Sequence, residues 1–352
     1  MCASTTCRAE PLSNEQMSQM SDLFDVLIIG AGPAGLAAAI AAKARGLSYV
    51  VLEKGALVNS LLHYPSDMVF FTTPELMEIG ELPFVSPHEK PNRLEALRYY
   101  RRVTDRFSLD VRLGEPVTGL AHAPHGGFEV VSQAGGRETR SRQAPFVVVA
   151  SGAYDFPNRL GVRGEDLPHV SHYYREAHVH YRQRVLIVGG KNSAAEAALE
   201  LHRAGARVTL VHRGSQLGDN IKYWVKPDIE NRIAEGSVRA LFNTRVVEIT
   251  PTHVVLEGSD GKDAHVDEPA DQVLLLTGYR SDPVLLKQIG AKVEDETGAP
   301  VHNETTFETT VPGVFVIGAA IAGKQSGKIF IENGRFHGGV VIGEIASRLG
   351  RK

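Results

Sequence analysis

Apolar runs, glycine turns and alanine-rich stretches follow one another twice along the chain. The first series covers residues 24–53 and reads FDVLIIG, AGPAG, LAAAIAAKARG and, as its last part, SYVVLE. The second begins at residue 185 and reads VLIVGGKNSAAEAALELHRAGARVTLVHRG. Short continuous apolar runs predict buried parallel strands, and the stretch between two such runs has the length of a crossover helix. We therefore predict an α/β chain with two dinucleotide-type units.

The first glycine turn has the pattern of a dinucleotide-binding loop. Gly30, Gly32 and Gly35 meet G-x-G-x-x-G, and Glu53 ends the second strand. Gly30 permits the tight turn, Gly32 lets the backbone approach a pyrophosphate, and Gly35 lets the helix pack closely on the strand. The pyrophosphate then lies at the helix N-terminus, and Glu53 accepts hydrogen bonds from ribose hydroxyls.

The second glycine turn differs from the first in two ways. Gly189 and Ala194 fill the outer positions of the pattern, but Lys191 replaces the middle glycine. His212 and Arg213 stand where the first unit has its acid. A guanidinium binds a 2′-phosphate bidentately whereas an acid repels it, so this site is predicted to prefer NADPH over NADH. The alternative is that Arg213 is a solvated charge at a strand end.

An acidic tip on one unit and a basic tip on the other predict that the first holds FAD and the second NADPH, with hydride passing from nicotinamide to flavin. The segments 146–157 and 273–283 resemble the strands that close each unit, and residues 115–149 include a predicted antiparallel meander. The last strand and helix are expected to return to the first unit. This gives a leader (1–21), an FAD domain (22–154 plus 284–352) and an inserted NADPH domain (155–283).

Six segments carry a resemblance to the bacillithiol-disulfide reductase family, within the wider thioredoxin-reductase-like class. They are GAGPAG (30–35), YPSDMVFFTTPELMEIGELPF (64–84), HYYREAH (172–178), VGGKNSAAEAALEL (188–201), VHRG (211–214) and IFIENGRFHGG (329–339). The resemblance implies two Rossmann-like three-layer ββα domains, a homodimer or homotetramer, and reduction of the disulfide of a low-molecular-weight thiol. Two positions depart from it: Ala319 stands where many flavoproteins have Asp, and Ala34 where many family members have Cys.

The predicted site residues follow from the two loops and from the resemblance. The flavin itself carries the chemistry, so no catalytic side chain is assigned; His63 and Tyr64 are the candidates near its ring. Lys222 is expected either to add charge at the 2′-phosphate or to be solvated. The FAD set is Gly30, Gly32, Pro33, Ala34, Gly35, Glu53, Lys54, Ser60, Tyr64, Thr73, Val117, Ser151, Gly152, Gly318 and Ala319. The NADPH set is Gly189, Gly190, Lys191, Asn192, Ser193, Ala194, His212, Arg213, Lys222 and Gly278.

The thiol count limits the reaction. The chain has two cysteines, Cys2 and Cys7, both in the leader, so it lacks the C-x-x-C dithiol of thioredoxin-reductase chemistry. A reduced flavin would then act directly on a substrate disulfide. Alternatives are transfer to ferredoxin or flavodoxin, as in thioredoxin-reductase-like ferredoxin–NADP reductases, and a flavin monooxygenase. A non-enzymatic NADPH/FAD redox sensor is a further alternative.

Composition excludes several partners. The 38 Lys and Arg are balanced by 41 Asp and Glu, giving a net charge of −3, which argues against nucleic acid. The cluster His169, His172, His178 and His180 lacks acid or thiol partners, so no metal site is predicted. No apolar run has the length of a signal peptide or spanning helix, so no membrane contact and a cytoplasmic location are expected.

Overall fold

Strands and helices alternate along both units. The computed structural model describes residues 23–258, 265–325, 327 and 329–351. The whole predicted leader (1–21), with Cys2 and Cys7, lies outside the described residues. The strands are β1 (Val26–Ile29), β2 (Tyr49–Leu52), β3 (Val111–Arg112), β4 (Val117–His122), β5 (Phe128–Ala134), β6 (Glu138–Ala144), β7 (Phe146–Val149), β8 (Phe156–Pro157), β9 (Val170–Ser171), β10 (Arg184–Val188), β11 (Arg207–Val211), β12 (Arg239–Leu241), β13 (Thr244–Ile249), β14 (His253–Gly258), β15 (Val266–Pro269), β16 (Gln272–Leu275), β17 (Tyr279–Arg280) and β18 (Val314–Val316).

Two of the helices follow the predicted glycine turns. They are α1 (Pro33–Ala44), α2 (Asn59–Leu62), α3 (Arg93–Arg106), α4 (Asn192–Arg203), α5 (Lys226–Ala234), α6 (Val284–Gln288), α7 (Ile331–Gly334) and α8 (His337–Arg348). Short 3₁₀ helices cover Pro74–Met77, His178–His180 and Gly318–Ala322. Both predicted crossover helices, α1 and α4, begin directly after their glycine turns.

The first sheet has five parallel strands in the order β18-β7-β1-β2-β3. Its inner strands are buried because α1 and α8 cover one face and the meander β4-β5-β6 covers the other. The C-terminal strand β18 pairs with β7. The chain therefore returns to the first unit, as expected for the last strand and helix.

The second sheet also has five parallel strands, in the order β12-β11-β10-β16-β9. The alanines of α4 pack on one face, and the meander β13-β14-β15 packs on the other. All of these strands lie in the chain between β7 and β18. The predicted α/β fold with one unit inserted in the other is confirmed, whereas the boundaries at 154 and 283 stay a prediction.

The chain crosses between the units twice, and the two crossing segments pair with each other. Strand β8 runs antiparallel to β17. Three tyrosine rings pack beside this pair: Tyr154 lies 4.4 Å from Tyr279, and Tyr173 lies 5.5 Å from Tyr279. The Tyr279 hydroxyl donates to the His172 carbonyl at 3.0 Å. The junction is therefore a packed aromatic cluster.

Candidate nucleotide-binding sites

The first glycine loop is shaped by two close approaches and one open side. A Cβ on Gly30 (φ +108°) would lie 2.4 Å from the Ala150 carbonyl oxygen, and a Cβ on Gly35 would lie 2.0 Å from the Gly30 oxygen. A Cβ on Gly32 would meet no described atom within 4 Å. Gly32 is the N-cap of α1 and offers no capping side chain. The loop thus leaves room beside the start of α1, where the unpaired N–H groups of a helix N-terminus can bind a pyrophosphate.

Glu53 holds this loop as well as ending its strand. The side chain is 5% exposed, and its two oxygens accept the N–H groups of Ala31 (2.8 Å) and Gly55 (3.0 Å). Burial raises the pKa of Glu53, and the two N–H groups oppose that rise. Each carboxylate oxygen keeps a second acceptor site for a ribose hydroxyl. The loop-anchoring role was not predicted from sequence.

Several predicted FAD residues come together around the start of α1. The Ala34 Cβ lies 2.8 Å from the position that a Cβ of Gly318 would take. The Ser151 hydroxyl is buried and has no hydrogen-bond partner among the described residues. Ser60 lies near Gly152, with its hydroxyl 3.9 Å from the position of a Cβ there. Pro33 and Ala319 are sequence neighbours of these residues, at the first turn of α1 and in the 3₁₀ helix after β18.

The predicted ring-flanking segment lies at the junction of the two units. Tyr64 packs edge-on against Tyr154 with ring centroids 4.8 Å apart, and burial raises its pKa to about 12. The Arg175 guanidinium donates to His63 Nδ1 at 3.2 Å. Both candidates therefore face residues that enter the second unit.

Three more predicted FAD residues lie outside the first glycine loop. Thr73 precedes the 3₁₀ helix Pro74–Met77, and Val117 is half-buried at the start of β4. Lys54 is half-exposed and pairs with Asp155 at 2.6 Å. Their assignment to FAD stays a prediction.

The second glycine loop repeats the packing of the first. A Cβ on Gly189 would lie 2.7 Å from the Leu276 oxygen, the equivalent of the contact between Gly30 and Ala150. A Cβ on Gly190 would lie 2.5 Å from the His212 ring. Lys191 is the exposed N-cap of α4, followed by Asn192, Ser193 and the buried Ala194 in its first turn. The middle position of the pattern therefore carries a solvent-facing cation at the helix N-terminus.

His212 and Arg213 follow β11 beside this loop. Burial, and then the charge of Arg213, lower the pKa of His212. His212 is therefore a neutral ring at pH 7, and Arg213 is an exposed cation next to it. Gly278 (φ +90°) lies at the chain crossing, where its carbonyl accepts the Asn158 N–H at 2.9 Å.

Lys222 is in a different environment from either one expected. It is 6% exposed, so the solvated alternative is wrong. Its ammonium pairs with Glu196 at 2.5 Å and donates to the Val69 carbonyl at 3.3 Å. A contact with a 2′-phosphate would require this ion pair to open or to be shared. Lys222 instead joins the second unit to the first.

Sequence reasoning missed an aromatic contact between the units. The Phe71 and Trp224 rings stack at 6.0 Å, and the Lys90 ammonium lies 3.9 Å from the Trp224 ring centroid. Lys90 also donates to the Phe71 carbonyl at 3.1 Å. Trp224 is the only tryptophan of the chain. The sequence marks Trp224 only by its position two residues after Lys222, and that position predicts no contact with Phe71 or Lys90.

A comparison with known proteins decides the family. Residues 27–318 match the model of the pyridine nucleotide-disulphide oxidoreductases. The chain belongs to the pyridine nucleotide-disulphide oxidoreductase family. As a member of this family it is an oxidoreductase, and the family uses flavin and nicotinamide cofactors. The non-enzymatic alternative is therefore not supported.

Three relatives illustrate the likeness of this pyridine nucleotide-disulphide oxidoreductase to known proteins. Bacilliredoxin reductase Bdr of Bacillus subtilis is 42% identical over 322 residues, covering 92% of this chain and 97% of the relative. The structure of bacillithiol disulfide reductase Bdr (YpdA) from Bacillus cereus has a TM-score of 0.89 at 39% identity, covering 93% of this chain and 99% of that one. Ferredoxin–NADP reductase 1 of Bacillus licheniformis is 26% identical, covering 90% and 86%. The resemblance predicted from the motifs is confirmed.

Neither a metal-binding cluster nor a membrane-spanning helix occurs among the described residues. Within residues 23–258 and the described parts of 265–351, no three His, Cys, Asp or Glu side chains are grouped to hold a metal ion. In the part of the chain that the structure describes, no helix is both long and apolar enough to span a bilayer.

Three histidines with lowered pKa values should make the stability of the protein depend on pH. Burial is the largest influence on His172, His212 and His337, and it lowers the pKa of each. The unfolded chain therefore binds more protons than the folded one below about pH 6.5. We expect the midpoint of thermal unfolding to fall from pH 7 to pH 5.5, and His337→Asn to reduce that fall. A midpoint that rises over this interval would contradict the prediction.

Proposed function

We propose that the chain transfers hydride from NADPH to FAD and then reduces the disulfide of a low-molecular-weight thiol of the bacillithiol type. The observation that carries the cofactor assignment is the pair of strand tips. One ends in the buried carboxylate of Glu53, and the other ends in the exposed guanidinium of Arg213. The acceptor is proposed from the relatives, whose names specify bacilliredoxin in one case and bacillithiol disulfide in the other.

The residues around the first loop fit FAD. Gly32 leaves open space at the start of α1, Glu53 presents a buried carboxylate where a ribose would lie, and Ser151 holds a buried hydroxyl with no partner in the described part of the chain. When bound, FAD would accept hydride from the nicotinamide and pass two electrons to the acceptor. The residues named here bind and orient the dinucleotides; none is required to move a proton in the hydride transfer.

The proposed reaction needs no protein thiol. Both cysteines of the chain lie within its first seven positions, so the described residues contain none. One NADPH and one proton are consumed for each disulfide: the two electrons of the hydride break the S–S bond, and two thiols and NADP⁺ are formed. The acceptor disulfide must therefore reach the flavin directly, because no described dithiol can carry electrons to a distant site.

A one-electron carrier is the second candidate acceptor. The missing dithiol suits ferredoxin or flavodoxin equally well, and a ferredoxin–NADP reductase is among the relatives, at the lower identity of 26%. For the monooxygenase alternative, Asp166 and Pro168 break the F-x-G-x-x-x-H pattern that would end at His172. The homodimer or homotetramer stays a prediction.

The deciding experiment is anaerobic NADPH oxidation by the purified protein with each acceptor in turn. Bacillithiol disulfide, an oxidised bacilliredoxin, ferredoxin and flavodoxin are compared, and a separate aerobic run measures peroxide. We expect two thiols to appear for each NADPH consumed with bacillithiol disulfide. Faster reduction of ferredoxin or flavodoxin, with no thiol formed from the disulfide, would establish the second candidate instead.

Gly32→Ala tests the FAD site without disturbing the protein. The added methyl meets no described atom within 4 Å, and the extended backbone at φ −73° accepts alanine, so the apoprotein should keep its stability. The methyl should hold the pyrophosphate away from the backbone. We therefore expect the dissociation constant of FAD to rise about tenfold, which corresponds to about 1.4 kcal/mol of binding free energy. FAD binding to the apoprotein is measured by flavin fluorescence.

The matched control is Gly343→Ala, whose methyl would meet only the Arg45 side chain at 3.8 Å. Unchanged FAD affinity in Gly32→Ala would remove the site from this loop.

A further inference from the structure

A buried histidine holds the backbone next to the first glycine loop. His337 is the first residue of α8 and is 9% exposed. Its Nδ1 accepts the N–H of Gly318 at 3.2 Å. Because Nδ1 is the acceptor, the ring is neutral and carries its proton on Nε2. Burial, with the nearby His302, lowers the pKa of His337 and keeps it in this form at neutral pH.

The His337 ring is fixed by packing as well as by its hydrogen bond. It stacks on Phe307 with centroids 4.1 Å apart and planes 20° apart. His302 stacks on Phe307 as well, at 6.1 Å, and its Nδ1 pairs with the Pro300 carbonyl. The order of the rings is thus His302, Phe307, His337. A ring held in this way sets the position of the group that it bonds.

The bonded group lies against the helix that starts the first site. A Cβ on Gly318 would come within 2.8 Å of the Ala34 Cβ, in the first turn of α1. The helix that carries His337 is also tied to α1, because a Cβ on Gly338 would lie 2.4 Å from the Ala38 nitrogen. The peptide at Gly318 and the first turn of α1 are therefore set relative to each other through α8.

We propose that His337 is a positioning residue for the flavin site, and that it acts by fixing the Gly318–Ala319 backbone against the start of α1. The inference rests on the proposed function, because it assumes that FAD occupies the first loop. Without an acceptor at Nδ1, the buried Gly318 N–H would lack a partner, and the backbone would shift to find one. The Gly318–Ala319 backbone that lines the proposed flavin site would then be displaced.

An isosteric pair of variants tests this role. In His337→Asn the side-chain oxygen takes the place of Nδ1, whereas in His337→Gln the amide lies where Nε2 was. We expect the dissociation constant of FAD to stay within about threefold of the original protein for Asn and to rise about tenfold or more for Gln. FAD affinity is measured by fluorescence titration of each apoprotein below its unfolding temperature. The visible spectrum of the bound flavin should shift in the Gln variant only.

The control is His302→Gln, on the far side of Phe307. It alters the same stack without touching Gly318, so its FAD affinity and flavin spectrum should match those of the original protein. Equal FAD affinities in the Asn and Gln variants would overturn the proposal, as would an equal loss in the control. If the original protein itself binds no FAD, the proposed function fails and not the role of His337 alone.

Discussion

Replacing Arg142 by Met is expected to lower the free energy of unfolding by about 3–5 kcal/mol at pH 7. Arg142 and Glu115 form an ion pair of 2.5 Å with side chains 5% and 4% exposed. Ser132 completes the group, since its hydroxyl donates to Glu115 at 2.6 Å. Burial opposes ionisation of Glu115, but the hydrogen bonds of Arg142 and Ser132 outweigh it and lower the pKa of that carboxyl. The variant leaves a carboxylate buried without its cation.

The double variant Glu115→Leu with Arg142→Met is the control. It removes both charges, so its unfolding free energy should return to within about 1–2 kcal/mol of the original value. Urea unfolding at pH 7 and pH 4.5 gives the comparison. The deficit of Arg142→Met should shrink at the lower pH, because Glu115 then takes up a proton. A single variant as stable as the original at pH 7 would show that the pair contributes nothing.

The effect of this ion pair should extend to the first site. The Glu115 N–H donates to the Glu53 carbonyl at 2.8 Å, and Glu53 holds the glycine loop. The segment that leads into the meander β4-β5-β6 is therefore bonded to the strand end that carries Glu53, the proposed ribose-binding acid. We expect the Arg142→Met protein to lose FAD at a lower urea concentration than the original protein does.

Arg213→Ala is expected to weaken NADPH binding by about 1.5–3 kcal/mol, the range for a charge-assisted hydrogen bond, while NADH binding stays nearly unchanged. The exposed guanidinium follows β11 beside the second glycine loop, so it can reach a 2′-phosphate that only NADPH carries. The ratio of kcat/KM for the two nucleotides measures the difference.

Arg207→Ala is the matched control, because Arg207 is an exposed arginine at the opposite end of the same strand. It alters the net charge equally but lies away from the loop, so the preference for NADPH should be kept. Equal losses of NADPH and NADH in Arg213→Ala would show that the arginine supports the fold and not the phosphate.

Local spacing predicted the parts of the molecule that depend on neighbouring residues. The two glycine turns, their strands and helices α1 and α4 follow from patterns of a few residues, because close backbone approach admits only small side chains. The return of the C-terminal strand to the first sheet was expected from the layout of two-domain flavoproteins, not from local spacing.

Contacts between distant segments could not be predicted in this way. Lys222 reaches the carbonyl of Val69, which is 153 positions away in the chain. The stack of Phe71 on Trp224 and the bond from Gly318 to His337 likewise join segments whose own patterns show no partner. A charged residue in a polar segment reads as solvated until the surface that buries it is known.

Because the second unit is inserted in the first, the strands of the first sheet are synthesised in two separate parts. A ribosome delivers β1, β2, β3 and β7 and then every strand of the second sheet before residue 314 brings β18 to the edge of β7. Throughout that interval β7 has an unpaired apolar edge, the kind of edge that joins strands of other chains. A chain cut short before β18 is therefore expected to aggregate even though most of its core is present.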